Sequence, residues 1–219
     1  MTRQLPLPFA AAPGYAAEDF CAAPCNELAR TWLQKPQAWS NGRMVLWGEP
    51  GCGKSFLLHL WARATGAVIY QGASLRSLAA LPAAPVAIDD ADSVAEETVL
   101  LHLLNAAAEA GHPVLLTAQA PPSRQAPRLP DLASRLRASL AVEISPPDDA
   151  MLSGLLLRLA ANRQLVLNAQ VSQFLLTRLP RTPAALREAV ARLDQAALAS
   201  GGKITRNLAA QILTDLARP

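Results

Sequence analysis

Gly48-Glu49-Pro50-Gly51-Cys52-Gly53-Lys54-Ser55 is the stretch on which the fold of this chain turns. It satisfies G-x-x-x-x-G-K-[ST] at every required position, after a predicted strand, Arg43 to Trp47, and before a predicted helix, Ser55 to Ala64. Glycines let successive backbone amides turn toward one anion, and the amino terminus of the following helix adds partial positive charge. In such a loop Lys54 reaches the β- and γ-phosphates of a nucleotide and the Ser55 hydroxyl ligates the accompanying Mg²⁺. Phe56, Leu57, Leu60 and Trp61 recur at helical spacing behind it, as a helix packed on a sheet requires.

Strand and helix signals alternate on either side of the loop. Glu27 to Leu33 reads as a short helix, and Ala67 to Tyr70 as a strand after Gly66. Val86 to Ile88 is a third strand, Val94 to Ala110 a long helix closed by Gly111, Val114 to Thr117 a fourth strand and Leu140 to Ile144 a fifth. Apolar strands alternating with helices predict a parallel sheet covered on both faces, because right-handed crossovers lay helices over it. Beyond Pro147 only helices are expected: Asp148 to Asn162, Ala169 to Leu179, Thr182 to Ala199 and Thr205 to Ala217, with Asn168, Thr182 and Thr205 as N-caps. The expected architecture is therefore α/β, a P-loop domain over residues 14–145 followed by a small all-α lid domain over residues 146–219. Residues 1–13, with three prolines and no periodic pattern, read as an extended arm.

The carboxyl ends of parallel strands line the ligand crevice, so the acidic pair closing the Val86 to Ile88 strand belongs beside the phosphates. Asp89 is the candidate Mg²⁺-site carboxylate, and Asp90 the candidate for orienting or deprotonating an attacking water. Thr117 and Gln119, at the end of the next strand, are candidates for contacting the γ-phosphate or that water; both also suit a turn.

Bulk properties narrow the class. A chain of 219 residues that is 51% hydrophobic and 17% charged can bury a sizeable core. Its apolar runs fall well short of the roughly 20 residues of a membrane span, and prolines interrupt the amino terminus where a signal peptide would be apolar. A cytoplasmic protein is expected. Cys21, Cys25 and Cys52 provide no second pair for a zinc site, and free thiols fit a reducing compartment. The formal net charge of +3 is too small to argue for nucleic-acid binding by itself.

With these pieces in order, the chain resembles the AAA+ module of the bacterial replication initiator DnaA from about Asp19-Phe20 to Leu213. Asp19-Phe20 and Pro24-Cys25-Asn26 resemble the segment placed beside the adenine in that family, Val86 to Asp90 its Walker B strand, and Thr117 to Pro122 its sensor 1 region, with Gln119 where an acidic residue is usual. Leu129-Pro130-Asp131-Leu132-Ala133-Ser134-Arg135-Leu136 resembles box VII and puts Arg135 at the arginine-finger position. Such a guanidinium serves another subunit's γ-phosphate and is worth roughly 10³ to 10⁵ in rate in other NTPases. Leu179 to Leu186 resembles the sensor 2 region in a register that puts Arg181 at the nucleotide-contacting arginine; Pro183 and Ala184 depart from the pattern, and a slipped register leaves Arg187 as the substitute.

Initiators continue into a helix-turn-helix domain, whereas this chain stops at Pro219 after the lid, so sequence-specific DNA binding is not expected. That organisation resembles the Hda family of DnaA-related regulators. Gln4-Leu5-Pro6-Leu7-Pro8-Phe9 resembles the sliding-clamp-binding peptide of that family, in which Gln4, Leu5, Leu7 and Phe9 would meet the clamp. The resemblance implies ADP or ATP with Mg²⁺ as ligands, the clamp and DnaA as partners, and stimulated hydrolysis of DnaA-bound ATP, with at most weak ATPase activity of its own. An autonomous AAA+ ATPase that remodels a replication protein or loads a helicase is the alternative. Self-association into a homo-oligomer is left open by the sequence.

Overall fold

The computed structural model describes residues 15, 17, 20–78, 83–200 and 204–216. It divides into a sheet unit, Ala22–Pro146, and a helical unit, Pro147–Pro219, with which the described residues before Ala22 group. No helix among the described residues is long and apolar enough to cross a membrane.

The sheet unit is built on five parallel strands: β1 (Arg43–Trp47), β2 (Val68–Gln71), β3 (Val86–Asp89), β4 (Val114–Ala118) and β5 (Leu140–Glu143). Their order is β2-β3-β4-β1-β5, which places β1 in the interior between β4 and β5. Side chains alternate across a strand, and both sets here are apolar. Val45, Val86, Ile88, Val114 and Leu116 face a core shared with Leu100, Leu103 and Leu104 of α3 (Glu97–Glu109) and Leu132 and Leu136 of α4 (Pro130–Arg137). Their alternates Met44, Leu46, Ala87 and Leu115 are buried as well, as are Leu57, Leu58 and Trp61 of α2 (Lys54–Thr65). Each fully buried Leu or Ile contributes about 1.5–3 kcal/mol. This two-sided burial explains why the strands read as continuous apolar runs. Upstream, α1 (Pro24–Leu33) begins with Asn26 Oδ1 accepting from the Ala23 amide at 3.2 Å.

Two stretches differ from the sequence expectation. The helix expected from Val94 begins at Glu97, because the Ala95 and Glu96 amides donate to the carbonyls of Gly72 and Leu75 and hold that segment extended. Residues 130–137 form the additional helix α4. Pro130 supplies its first position, while both Glu97 carboxylate oxygens accept amide bonds at its start, from Arg128 at 3.0 Å and Leu129 at 2.9 Å.

The helical unit contains α5 (Asp149–Asn162), α6 (Ala169–Arg178), α7 (Pro183–Ser200) and α8 (Arg206–Leu216), packed around Leu155, Leu159, Val171, Leu175, Val190 and Leu193. The side chains of Asp148, Asn168, Thr182 and Thr205 accept amide bonds from Met151, Val171, Ala185 and Leu208 respectively. Each such cap typically contributes about 1 kcal/mol.

Candidate functional site

β1 ends at Trp47, and residues 48–53 turn the chain into α2. Gly53 is the N-cap residue with φ +112, a backbone conformation that L side chains rarely adopt. Lys54 opens the helix. The residue is only 6% exposed, and its ammonium donates to the carbonyls of Gly48 at 2.9 Å and Glu49 at 3.0 Å. Among the described residues it has no carboxylate within ion-pair distance. A buried cation answered only by neutral carbonyls at a helix amino terminus is suited to an anion. Cys52 and Phe56 are buried on either side of Lys54. Burial pushes the Cys52 thiol above its ordinary pKa, although the Lys54 charge pulls the other way.

The carboxyl ends of β3 and β4 bring in the polar partners. Ile88 is level with Leu116 across this pair, so Asp89 and Thr117 come next in line. The Thr117 hydroxyl, fully buried, donates to Asp89 Oδ1 at 2.6 Å and accepts from the Asp90 amide at 2.8 Å. Ser55 Oγ donates to the same Asp89 oxygen at 3.0 Å. Asp89, 5% exposed, is thus held by two hydroxyls. A hydroxyl and a carboxylate are hard oxygen donors of the kind Mg²⁺ takes, the remaining ligands usually being phosphate oxygens and water. Among the described residues no three His, Cys, Asp or Glu converge as a metal cage, so these two donors alone do not complete a site.

Asp90 follows in the left-handed conformation, φ 52 and ψ 55, with an exposed side chain. Partial burial and the neighbouring charges of Asp89 and Asp92 raise its pKa above the ordinary carboxylate value, against the pull of Lys54. Gly72 lies against this turn so closely that a Cβ there would stand 2.1 Å from the Asp90 carbonyl oxygen. Gln119 has an exposed side chain and contributes its amide, which donates to Asp92 Oδ2 at 2.7 Å. Of the two strand-end candidates, Thr117 is therefore the one that touches Asp89.

Arg135 lies in the last turn of α4, and the turn after it leads into the start of β5. Ser139 Oγ donates to the Arg135 carbonyl at 2.9 Å, and Asn41 Nδ2 donates to the Ala138 carbonyl at 3.1 Å, tying α4 to the start of β1. Arg43 and Trp47 bound β1, whose length at 3.3 Å per residue is roughly 13 Å. Arg135 thus belongs to the edge of the sheet opposite its own phosphate loop.

In the helical unit, Arg181 pairs with Asp149 at 2.6 Å on an exposed surface, and Arg187 lies on α7. The Phe20 carbonyl accepts from Arg158 at 2.8 Å. Asp19 and the clamp-peptide candidates Gln4, Leu5, Leu7 and Phe9 lie outside the described residues. Sequence reasoning passed over Gly72, whose need for a missing Cβ is created by a partner strand, and Arg43, which reads as an ordinary flank of an apolar run.

Comparison with known proteins agrees with this geometry. The sequence profile "Hda, lid domain" matches residues 148–213. An uncharacterized protein of Haemophilus influenzae is 28% identical over 231 residues, covering 97% of this chain and 99% of its own length. Domain III of the Thermotoga maritima replication initiation protein DnaA superposes with a TM-score of 0.75 at 18% identity, covering 95% of this chain and 99% of that one. AMPPCP-bound DnaA from Aquifex aeolicus superposes with a TM-score of 0.65 at 16% identity, over 82% of this chain and 65% of its own. Residues 148–213 match the Hda lid-domain family, and over 95% of its length the chain has the fold of DnaA domain III.

Proposed function

We propose that this protein is a nucleotide-bound regulator of replication initiation that promotes hydrolysis of ATP held by a DnaA-family initiator. Gly48, Pro50, Gly51, Cys52 and Gly53 supply the loop, and Lys54 and the start of α2 the positive field, for the phosphates of ADP or ATP. Ser55 and Asp89 would hold Mg²⁺, which neutralises phosphate charge when bound. Thr117 keeps the Asp89 carboxylate in place.

The observation that carries the reading is the position of Arg135 at the sheet edge away from its own phosphate loop, with no carboxylate partner among the described residues. A cation there is of no use to its own nucleotide and is available to a phosphate presented by a partner. The Hda-type lid over residues 148–213 favours DnaA as that partner. The sequence of residues 4–9, in which Gln4, Leu7 and Phe9 stand around two prolines, supports attachment to the sliding clamp, with Leu7 and Phe9 as apolar anchors.

The test is the rate of ATP hydrolysis by DnaA, with and without DNA-loaded clamp, for the intact chain, the chain lacking residues 1–9, and Arg135→Ala. Stimulation that requires both the clamp and residues 1–9, and that Arg135→Ala abolishes with nucleotide binding retained, is expected. Stimulation by Arg135→Ala equal to that of the intact chain would rule out the finger.

A further inference from the structure

Arg43 is the first residue of β1 and is only 5% exposed, yet its Nε has no hydrogen-bond partner, and it forms no ion pair among the described residues. Buried arginines ordinarily lie against a carboxylate or a set of carbonyls, because desolvating the guanidinium without acceptors is costly. Burial lowers the Arg43 pKa, and the positive charge of Arg135 adds to the lowering. Arg135 Nε is itself buried without an acceptor. Two bonds fix the backbones that carry this pair: Asn41, two residues before Arg43, holds the Ala138 carbonyl, and Ser139 holds the Arg135 carbonyl.

We infer that Arg43 is the positioning residue of Arg135: a buried guanidinium that turns the Arg135 side chain outward from the amino edge of the sheet, toward a polyphosphate presented by a partner. The inference rests on the regulator reading above and deepens it. A carboxylate in place of Arg43 would draw Arg135 back along the edge. A neutral side chain would leave its orientation to chance, at the cost of ordering it each time a partner docks. A like charge behind it disfavours the folded-back rotamers, and an arriving phosphate relieves the repulsion. Arg43 itself, almost wholly covered, acts through Arg135 and does not touch the phosphate.

A residue kept only for packing and one kept for its charge give opposite results when the charge is removed and the stem kept. In the DnaA hydrolysis assay with DNA-loaded clamp, Arg43→Met is expected to lower the maximal stimulated rate roughly 10- to 100-fold. The concentration giving half-maximal stimulation should change little, and the melting temperature should stay the same or rise. Arg43→Lys, which restores a charge on a similar stem, should recover a large part of the rate.

Several results would overturn the inference: an unchanged maximal rate in Arg43→Met, a loss confined to the half-maximal concentration, a lowered melting temperature or failure to fold, or Arg43→Lys no better than Arg43→Met. Failure of the parent protein to stimulate DnaA would sink the regulator reading, and this inference with it. Stimulation lost in Arg135→Ala but kept in Arg43→Met would sink the positioning role alone.

Discussion

Replacing Thr117 by Val deletes one oxygen from the middle of the carboxylate cluster while nearly preserving shape. That oxygen donates to Asp89 at 2.6 Å and accepts from the Asp90 amide at 2.8 Å, in a side chain with no exposure. A hydrogen bond to a charged group is worth about 1.5–3 kcal/mol, and a stranded amide costs about 1–3 kcal/mol more. The Asp90 amide is only partly buried, so the low end applies to it, and the sum is about 3 kcal/mol. For a unit of this size the melting temperature should fall by roughly 10 °C. All four tryptophans, Trp32, Trp39, Trp47 and Trp61, belong to the sheet unit, so intrinsic fluorescence follows that unit alone. With Asp89 held by Ser55 alone, Mg²⁺-dependent nucleotide affinity should drop by about tenfold or more, as when outer-shell partners of metal ligands are removed. Thr117→Ser keeps the hydroxyl and should recover most of both losses, while Gln119→Ala, which leaves the backbone bond to Asp92, should change neither. The reasoning fails if Thr117→Val melts within about 2 °C of the parent and binds Mg²⁺-nucleotide equally well.

Two further substitutions probe the same edge. Gly72→Ala places a Cβ 2.1 Å from the Asp90 carbonyl oxygen, so the Asp89-Asp90 turn must move; a loss of about 1–3 kcal/mol in fluorescence-monitored melting, with weakened Mg²⁺-nucleotide binding, is expected, and wild-type behaviour would show that the turn yields freely. Asp90→Asn should raise stability at neutral pH, for two reasons: Asn tolerates the left-handed backbone at φ 52, and it removes a carboxylate whose folded-state pKa is raised. The sign follows from proton binding. Between the unfolded and the raised folded value the native state holds the extra proton, so stability falls as pH rises through that window and stays lower above it. The advantage of Asp90→Asn in denaturant titrations should therefore be full at pH 7 and shrink as the pH drops through the acidic range; an advantage independent of pH would assign it to the backbone alone.

The sheet was legible because its strands are buried on both faces and separated by glycine and proline punctuation. Asn168, Thr182 and Thr205 were legible as caps because capping depends on residues within one turn, and each does accept the expected amide bond. Helix α4 was recognisable only as a motif: at eight residues it is too short for a periodic signal, and its start is held by Glu97, about 30 positions away. The premature start assigned to α3 had a similar origin, since the carbonyls that keep Ala95 and Glu96 extended belong to the loop after β2. Local chemistry likewise placed Lys54 and Ser55 at the phosphate loop, but could not choose between Thr117 and Gln119. That choice depends on the register of β4 against β3, which brings Thr117 to Asp89, whereas Gln119 lies past the end of β4 with an exposed side chain.

Two buried polar side chains at strand ends, Thr117 and Arg43, separate what holds this fold together from what awaits a partner. A sheet covered on both faces leaves its strand interiors no water to satisfy a polar group, so each polar residue there must find acceptors within the protein or carry an unmet need. Thr117 makes both of its bonds, to Asp89 and Asp90, and is fully accounted for by the structure of one chain. Arg43 Nε is buried without an acceptor, and the guanidinium faces a like charge from Arg135. Packing alone gives no reason to keep a guanidinium there, because a methionine would fill similar space without the desolvation cost. The charge at the amino edge makes physical sense once an anion from outside the chain completes it, just as Lys54 at the carboxyl edge makes sense with a phosphate. On the regulator reading, the two edges would serve two anions, one bound by this protein and the other presented by a partner.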